Sequence, residues 1–265
     1  MTDDLVRAVI AEYETLGPLR VRIDTHRRHS ARPDTLEADT LAHSRLEPAH
    51  DVLDVGSGTG EFLRNRRGHT GRLAAVDTSE AAVAAARAIE GVAGVLGSAT
   101  DLPLAENSFD RLFARHMLYH VDPPEAALRE FARVTRAGGL VIAVVNHRGA
   151  VPHIMDLVCA EVARRVVRPG VRAAISVDSD NLPAMMEAAF GNVESFRYDN
   201  HLEFATPEPL IRFAGAVTSM CGLTPDSPHR DDVLRAIADR AHAWFASNEG
   251  PWRDPKGYSV NVSVA

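Results

Sequence analysis

The stretch that decides the fold is Val52-Leu53-Asp54-Val55-Gly56-Ser57-Gly58-Thr59-Gly60-Glu61. An apolar run rich in β-branched residues gives way to alternating glycines, and a helical pattern begins near Thr59, which predicts a strand, a tight turn and a helix. Glycine adopts backbone angles that other residues avoid, and it lets a ligand lie directly against the main chain. The stretch therefore predicts a nucleotide-binding corner.

The spacing of the glycines indicates which nucleotide is bound. A dinucleotide fingerprint, G-x-G-x-x-G, would place its last glycine at position 61, where this chain has Glu61 and puts the glycine at Gly60 instead. Asp54 precedes the turn, where a carboxylate repels phosphate but attracts an ammonium group. Asp77 ends the next apolar strand, about 20 residues beyond the first glycine, where it would accept from the hydroxyls of a ribose. A ribose joined to a cationic amino acid indicates S-adenosylmethionine.

Four segments in chain order resemble the motifs of one enzyme family. Val52–Gly60 resembles the first motif of the class I S-adenosylmethionine-dependent methyltransferases, and Ala75–Ser79 resembles the second. Gly97–Asp110 resembles the third motif, and Val134–Leu140 resembles the glycine turn before the fifth strand. By this resemblance, over residues 50–146, the chain is identified as a member of the methyltransferase type 11, UbiE-like group, which acts on small molecules.

The expected fold class is α/β. Alternation of short apolar strands with helices predicts a parallel sheet with helices on both faces and ligands at the carboxyl ends of its strands. The resemblance implies a Rossmann-like, seven-stranded, mostly parallel sheet whose antiparallel last strand lies beside the fifth. It also implies an N-terminal helical cap and a helical lid between strands 5 and 6. The expected parts of this single catalytic domain are the cap at 1–48, the cofactor-binding core at 49–149, the lid at 150–190 and the rest of the core at 191–265.

Apolar periodicity and turn residues predict the individual elements. Gly17-Pro18 is expected to end the first helix, and Ser79 to cap another. Strands are expected at 51–55, 72–76, 93–97, 109–114, 140–145, 193–198 and 256–264. Helices are expected at 2–16, 33–46, 59–67, 79–90, 124–136, 207–220 and 229–247.

The loop after Gly97 is expected to hold the adenine ring. By the resemblance, the next residue is usually an aspartate that accepts from the exocyclic amino group, whereas this chain has Ser98. A hydroxyl can also accept that bond, Ala99 and Thr100 are expected to supply backbone donors, and Asp101 is a substitute acceptor.

The N-terminal extension is expected, by the resemblance, to fold over the cofactor. Tyr13 and Arg20 or Arg22 would then reach the methionine carboxylate, and the alternative is a packing tyrosine with surface arginines. The full set of expected cofactor contacts is Asp54, Gly56, Ser57, Gly58, Gly60, Asp77, Thr78, Ser98, Ala99, Thr100, Arg115, Tyr13 and Arg20.

The candidate catalytic residues follow the fourth strand, where the transferable methyl group would lie. His116, Tyr119 and His120 are spaced i, i+3 and i+4, so a helical turn would place them on one face. A histidine takes a proton near neutral pH, and a phenol can orient or share one. The alternative is that such a histidine only bonds a backbone carbonyl. Trp252, Phe204 and Phe213 could likewise line a substrate pocket or pack in the core.

Composition and charge exclude several classes of partner. A net charge of −7 over 265 residues argues against a broad nucleic-acid footprint. The two cysteines have neither a disulfide framework nor zinc spacing, so we expect no metal site and a reducing cytoplasm. The N-terminus lacks the features of a signal peptide, and no apolar run has the length of a membrane span. A cytoplasmic monomer or homodimer is expected, with neither a membrane nor a nucleic-acid partner.

The expected function is methyl transfer from S-adenosylmethionine, with S-adenosylhomocysteine as product, to a small molecule of specialised metabolism. O-methylation is favoured over N- or C-methylation, by in-line displacement with the acceptor positioned and one proton removed. The alternatives are methylation of tRNA or protein, a non-catalytic partner that binds the cofactor, and, more distantly, an NAD-dependent oxidoreductase. Asp122-Pro123-Pro124-Glu125 ends in glutamate where the D-P-P-Y motif of amino-methylating enzymes has an aromatic ring, which argues against a nucleic-acid target.

Overall fold

The computed structural model describes residues 15–166 and 176–265. Its strands are β1 (Val52–Val55), β2 (Leu73–Asp77), β3 (Val92–Leu96), β4 (Phe109–Arg115), β5 (Thr135–Asn146), β6 (Glu194–Phe204) and β7 (Trp252–Val264). Its helices are α1 (Gly17–His29), α2 (Leu36–Ser44), α3 (Glu61–Arg64), α4 (Glu80–Arg87), α5 (Pro124–Val134), α6 (Pro152–Arg165), α7 (Leu182–Phe190), α8 (Pro207–Gly215) and α9 (Arg230–Ser247). None of these helices is both long and apolar enough to cross a bilayer.

The strands form one seven-stranded sheet in the order β3-β2-β1-β4-β5-β7-β6. β1 is parallel to β2 and β4, β2 is parallel to β3, and β4 is parallel to β5. β7 is antiparallel to β5, with Asn146 opposite Tyr258. The strand order reverses at β1, and ligands of such sheets bind outside the carboxyl ends of the strands at this point. The predicted α/β fold class, including the antiparallel last strand, is confirmed.

Both faces of the sheet are covered, which explains why every residue of β1 is buried and all but one are apolar. Leu53 and Val55 pack on one face in a cluster that contains Leu128 of α5, whereas Val52 packs on the other with Phe62 of α3. Successive side chains of a strand point to opposite faces, so a strand buried on both has no polar stripe. The one charged residue within β1, Asp54, therefore stands out as a candidate for function.

Several element boundaries differ from those expected. The helix after the glycines is limited to α3, and β5 begins at Thr135 rather than near residue 140. The glycine turn before the fifth strand lies within β5, where Gly138 has a φ of 78° and the register of β4 shifts between Phe109 and Arg111. The expected cap of α4 is confirmed, because the side chain of Ser79 accepts from the Ala82 N–H.

Helix α1 begins at Gly17, directly after the residues where the sequence predicted the first helix. Proline is tolerated in the first turn because its missing N–H has no helical partner there. The predicted helix at 2–16, whose end was expected at Gly17-Pro18, falls outside the described residues except for its last two positions, and α1 itself was not predicted. Arg22 of α1 is buried, and its guanidinium donates to the Ala216 carbonyl at 3.1 Å.

The chain divides into two compact units. The larger comprises Thr35–Arg148, Ile175–Tyr198 and Gly257–Ala265, and it contains the glycine-rich stretch and the first five strands. The smaller comprises Met1–Asp34, Gly149–Ala174 and Asp199–Lys256. The segment 150–190, expected to be a lid, is thus divided between the units.

Cys159 of α6 and Cys221 of the 3₁₀ turn Thr218–Cys221 form a disulfide, with their Cα atoms 5.2 Å apart. The expectation that the cysteines form no disulfide is wrong. They are 62 residues apart; Cys221 belongs to the apolar cluster of the smaller unit, and Cys159 packs against that cluster. Because helix packing alone brings them together, their spacing in the sequence could not predict the bond.

Candidate active site

Asp54 and Arg115 form a buried ion pair at the carboxyl edge of the sheet. Asp54 is fully buried in β1, and its Oδ2 accepts from the guanidinium of Arg115, the last residue of the neighbouring β4, at 3.2 Å. Burial raises the pKa of Asp54, whereas the adjacent Arg115 opposes that rise by favouring the charged form. The pair therefore places an acidic and a basic group side by side where a ligand is expected.

The glycine turn that follows β1 is shaped by close contacts. Gly56 and Gly60 both have a φ of 70°, in the left-handed region. A Cβ atom on Gly56 would lie 2.6 Å from Cβ of Met117, and one on Gly60 would lie 2.9 Å from Cδ1 of Ile89. The left-handed backbone favours glycine at both positions, and at Gly56 a side chain would also overlap Cβ of Met117, which is fixed to the backbone.

The carboxylate of Asp77, at the end of β2, is held across this turn. Its Oδ2 accepts from the Gly58 N–H at 3.0 Å, and its Oδ1 accepts from the Ser79 N–H at 2.9 Å. Each carboxylate oxygen can accept a further hydrogen bond, so Asp77 keeps the capacity to bind hydroxyl groups. Thr78, the next residue, is exposed.

The loop after β3 is closed by its own hydrogen bonds. Ser98 Oγ accepts from the Thr100 N–H at 3.2 Å and lies 2.8 Å from Thr100 Oγ1, while the Asp101 N–H donates to the Ser98 carbonyl at 3.2 Å. Ala99 is buried and Asp101 is exposed. The Thr100 N–H that was expected to serve a ligand is thus bonded to Ser98.

The segment after β4 departs from the expected helical turn. His116 has a φ of 53°, and its N–H donates to the Val144 carbonyl at 2.8 Å, so it lies beside the end of β5. Only Leu118–His120 forms a helical turn, of the 3₁₀ type, anchored by the fully buried Leu118. The prediction of a single turn over 116–120 is wrong, because the left-handed backbone at His116 precedes the helix. The rings of Tyr119 and His120 contact edge to face, with centroids 4.6 Å apart.

A group of buried polar atoms at this edge has no hydrogen-bond partner in the described part of the chain: Asp54 Oδ1, Ser57 Oγ and Arg115 Nε. Buried polar atoms in folded proteins are nearly always hydrogen-bonded. The carboxylate oxygen accepts from an ammonium, and the guanidinium donates to a carboxylate. This donor and acceptor set fits the amino-acid end of S-adenosylmethionine, and Asp77 fits its ribose.

Other residues singled out from the sequence lie elsewhere. Tyr13 lies outside the described residues, and Arg20 is exposed on α1 in the smaller unit. Phe204 and Phe213 are buried in the apolar cluster of that unit, and Trp252 packs against the same cluster. These aromatic side chains thus take the packing role that was the alternative to lining a pocket.

Two residues beside the ion pair were not singled out from the sequence. Phe62 presents its ring to the Arg115 guanidinium, 4.1 Å from the ring centroid, and the guanidinium of Arg66 lies 4.7 Å from the same centroid. The available signal was the i, i+4 spacing of Phe62 and Arg66, which places both on one side of a helical turn.

Residues 53–143 match the family model described as a methyltransferase domain. The chain is 34% identical over 178 residues to methyltransferase GfsG of Streptomyces halstedii, covering 59% of this chain and 62% of that protein. It is 33% identical over 136 residues to a demethylmenaquinone methyltransferase of Mycolicibacterium vanbaalenii, covering 51% and 58% respectively. Both matches span less than two thirds of the relative. The solved YcgJ protein of Bacillus subtilis has the same fold, with a TM-score of 0.59 at 18% identity over 86% of this chain and 97% of that one.

Proposed function

We propose that this chain, which belongs to the class I S-adenosylmethionine-dependent methyltransferase family, transfers a methyl group to a small-molecule acceptor. The observation that carries the proposal is the set of buried, unbonded atoms of Asp54, Ser57 and Arg115 in the described part of the chain. These atoms are complementary to a ligand that carries an ammonium and a carboxylate on one carbon. They lie at the strand edge where the sheet order reverses, which is where this class of fold binds its ligands.

Each cofactor group has a proposed partner. Asp54 Oδ1 would accept from the ammonium group, Arg115 Nε would donate to the carboxylate, and Asp77 would accept from the ribose hydroxyls. Ser57 Oγ can serve as donor or acceptor beside them. The loop Gly97–Asp101 is proposed to contact the adenine.

The cofactor supplies a methyl group that is already activated by the positive charge on its sulfur. The protein would hold the acceptor in line with that methyl group and exclude water, which accounts for most of the acceleration. His116, Tyr119 and His120 are proposed to handle the one proton that the methyl acceptor loses. An imidazole nitrogen of His116 or His120 would take this proton, and the phenol oxygen of Tyr119 would orient or share it. O-methylation is proposed ahead of N- or C-methylation, because a phenol or carboxylate acceptor needs little help from a base.

The test is transfer of label from methyl-labelled S-adenosylmethionine into a host-cell extract that is separated by molecular size. Label in the small-metabolite fraction that disappears with the Asp77→Ala variant supports the proposal and supplies a compound to identify. Label in RNA or protein contradicts the small-molecule assignment. Cofactor binding without label in any fraction, across extracts from several growth conditions, indicates a protein that binds without catalysing.

A further inference from the structure

The ring of Phe62 lies between the buried ion pair and a second arginine. Phe62, on α3, contacts the guanidinium groups of both Arg115 and Arg66 within 4.7 Å of its centroid. A cation is attracted to the face of an aromatic ring, but two cations near one ring repel each other. The Arg66 side chain is only 11% exposed, so water screens this repulsion poorly. Holding Arg66 in this position requires a further partner.

Glu37 of α2 is that partner. Its Oε1 forms an ion pair with the Arg66 guanidinium, and its Oε2 accepts from the side-chain amide of Asn65 at 3.0 Å. Arg66 Nε also donates to the Phe62 carbonyl at 3.1 Å. The guanidinium is therefore fixed by a carboxylate, a carbonyl and a ring. Together with the pair Asp54–Arg115 these residues form one row, in which the two arginines on either side of Phe62 are each paired with a carboxylate, Glu37 on α2 and Asp54 at the strand edge.

We propose that Arg66 is a positioning residue for cofactor binding: its charge, held in place by Glu37, favours the ionised carboxylate of Asp54. The inference rests on the proposed function, because it requires Asp54 to pair with the ammonium group of S-adenosylmethionine. Arg66 itself would not touch the cofactor. Its charge would act on Asp54 through space, across the Phe62 ring that contacts both arginines.

The groups that face Asp54 show why a second positive charge matters. Burial, the largest effect, raises the pKa of Asp54, and the negative charge of Asp77 on β2 adds to it. Arg115 and Arg66 oppose both by favouring the ionised form. A protonated Asp54 cannot pair with an ammonium group, so cofactor affinity falls as the pH drops through the pKa of Asp54. Removal of Arg66 raises that pKa, and the fall in affinity then begins at a higher pH.

The experiment measures the dissociation constant of S-adenosylhomocysteine against pH, because this product keeps the amino-acid end and needs no turnover. We expect Arg66→Gln to shift the acid side of the profile, where affinity falls, toward higher pH by about one pH unit, the order expected for the loss of one poorly screened charge. Arg66→Lys keeps the charge and is expected to restore most of the wild-type profile. Arg64→Gln is the matched control, because Arg64 is an exposed arginine at the end of α3, two residues before Arg66, and it should leave the pH profile unchanged.

Glu37→Gln provides a test of opposite sign. The substitution leaves an amide oxygen that accepts from Arg66, and it removes a negative charge. Because the remaining positive charge then favours ionised Asp54 more strongly, we expect the fall in affinity to begin at a lower pH. Circular dichroism at each pH confirms that a variant is folded. Two outcomes overturn the inference and leave the proposed function intact. In the first, Arg66→Gln binds more weakly at every pH, but its affinity falls over the same pH range as that of the wild type. In the second, the affinity of the folded wild type does not fall at acid pH. Absence of binding by the wild type at every pH instead overturns the proposed function.

Discussion

Replacing Gly56 by alanine tests the reasoning about the glycine turn. Alanine at a φ of 70° is left-handed, which costs about 1 to 2 kcal/mol. Its Cβ would also lie 2.6 Å from Cβ and 2.8 Å from Cγ of Met117. Since a Cβ atom is attached to the backbone, the segment after β4 must move, which adds roughly 1 to 3 kcal/mol. We therefore expect Gly56→Ala to lower the free energy of unfolding by about 2 to 5 kcal/mol.

Urea unfolding followed by circular dichroism measures this loss, with a midpoint lowered by about 1 M or more. Gly68→Ala is the matched control, because Gly68 has a φ of 79° and a Cβ there would meet nothing within 4 Å. It should show the cost of the left-handed backbone alone. The double variant Gly56→Ala with Met117→Gly removes the overlapping atoms and should recover part of the difference. If Gly56→Ala loses no more stability than Gly68→Ala, the reasoning about the overlap is refuted.

Three further predictions concern the cofactor, the acceptor and the smaller unit. Asp77→Ala should weaken cofactor binding in calorimetry by about 2 to 4 kcal/mol, through lost ribose hydrogen bonds, and unchanged affinity would remove Asp77 from the site. His116→Ala and His120→Ala should lower turnover while cofactor affinity stays nearly constant; normal turnover by both would exclude them as proton acceptors. Cys159→Ser should lower the free energy of unfolding by about 2 to 4 kcal/mol under oxidising conditions, because it opens a long loop in the unfolded chain. Adding reductant should destabilise the wild type by the same amount as Cys159→Ser does, and it should leave the stability of that variant unchanged. A free thiol at Cys221 in the untreated wild type would contradict the disulfide.

The carboxyl edge of the sheet could be predicted from the sequence because its residues follow local patterns. Asp54 and Asp77 end or nearly end apolar strands, and Gly56 follows the first of them directly. The carboxyl ends of neighbouring parallel strands meet at one edge, so residues at these ends come together whatever the intervening helices contain. The same logic placed Arg115 there, at the end of the adjacent β4.

Local patterns failed where a backbone conformation or a contact depends on distant segments. The spacing of His116, Tyr119 and His120 suggested one helical turn, but the burial of Leu118 and the bond to Val144 impose a left-handed residue before a 3₁₀ turn.

The sequence by itself determined the order of strands and helices, the glycine turn and the acidic residues that flank it. Periodicity, turn chemistry and glycine spacing act over a few residues and need no tertiary contact. Only the tertiary structure decided which charges meet in the interior: Arg115 reaches Asp54 across 61 residues, and Arg66 reaches Glu37 across 29. Electrostatic interactions depend on distance through space and on burial, and both are set by how distant segments pack.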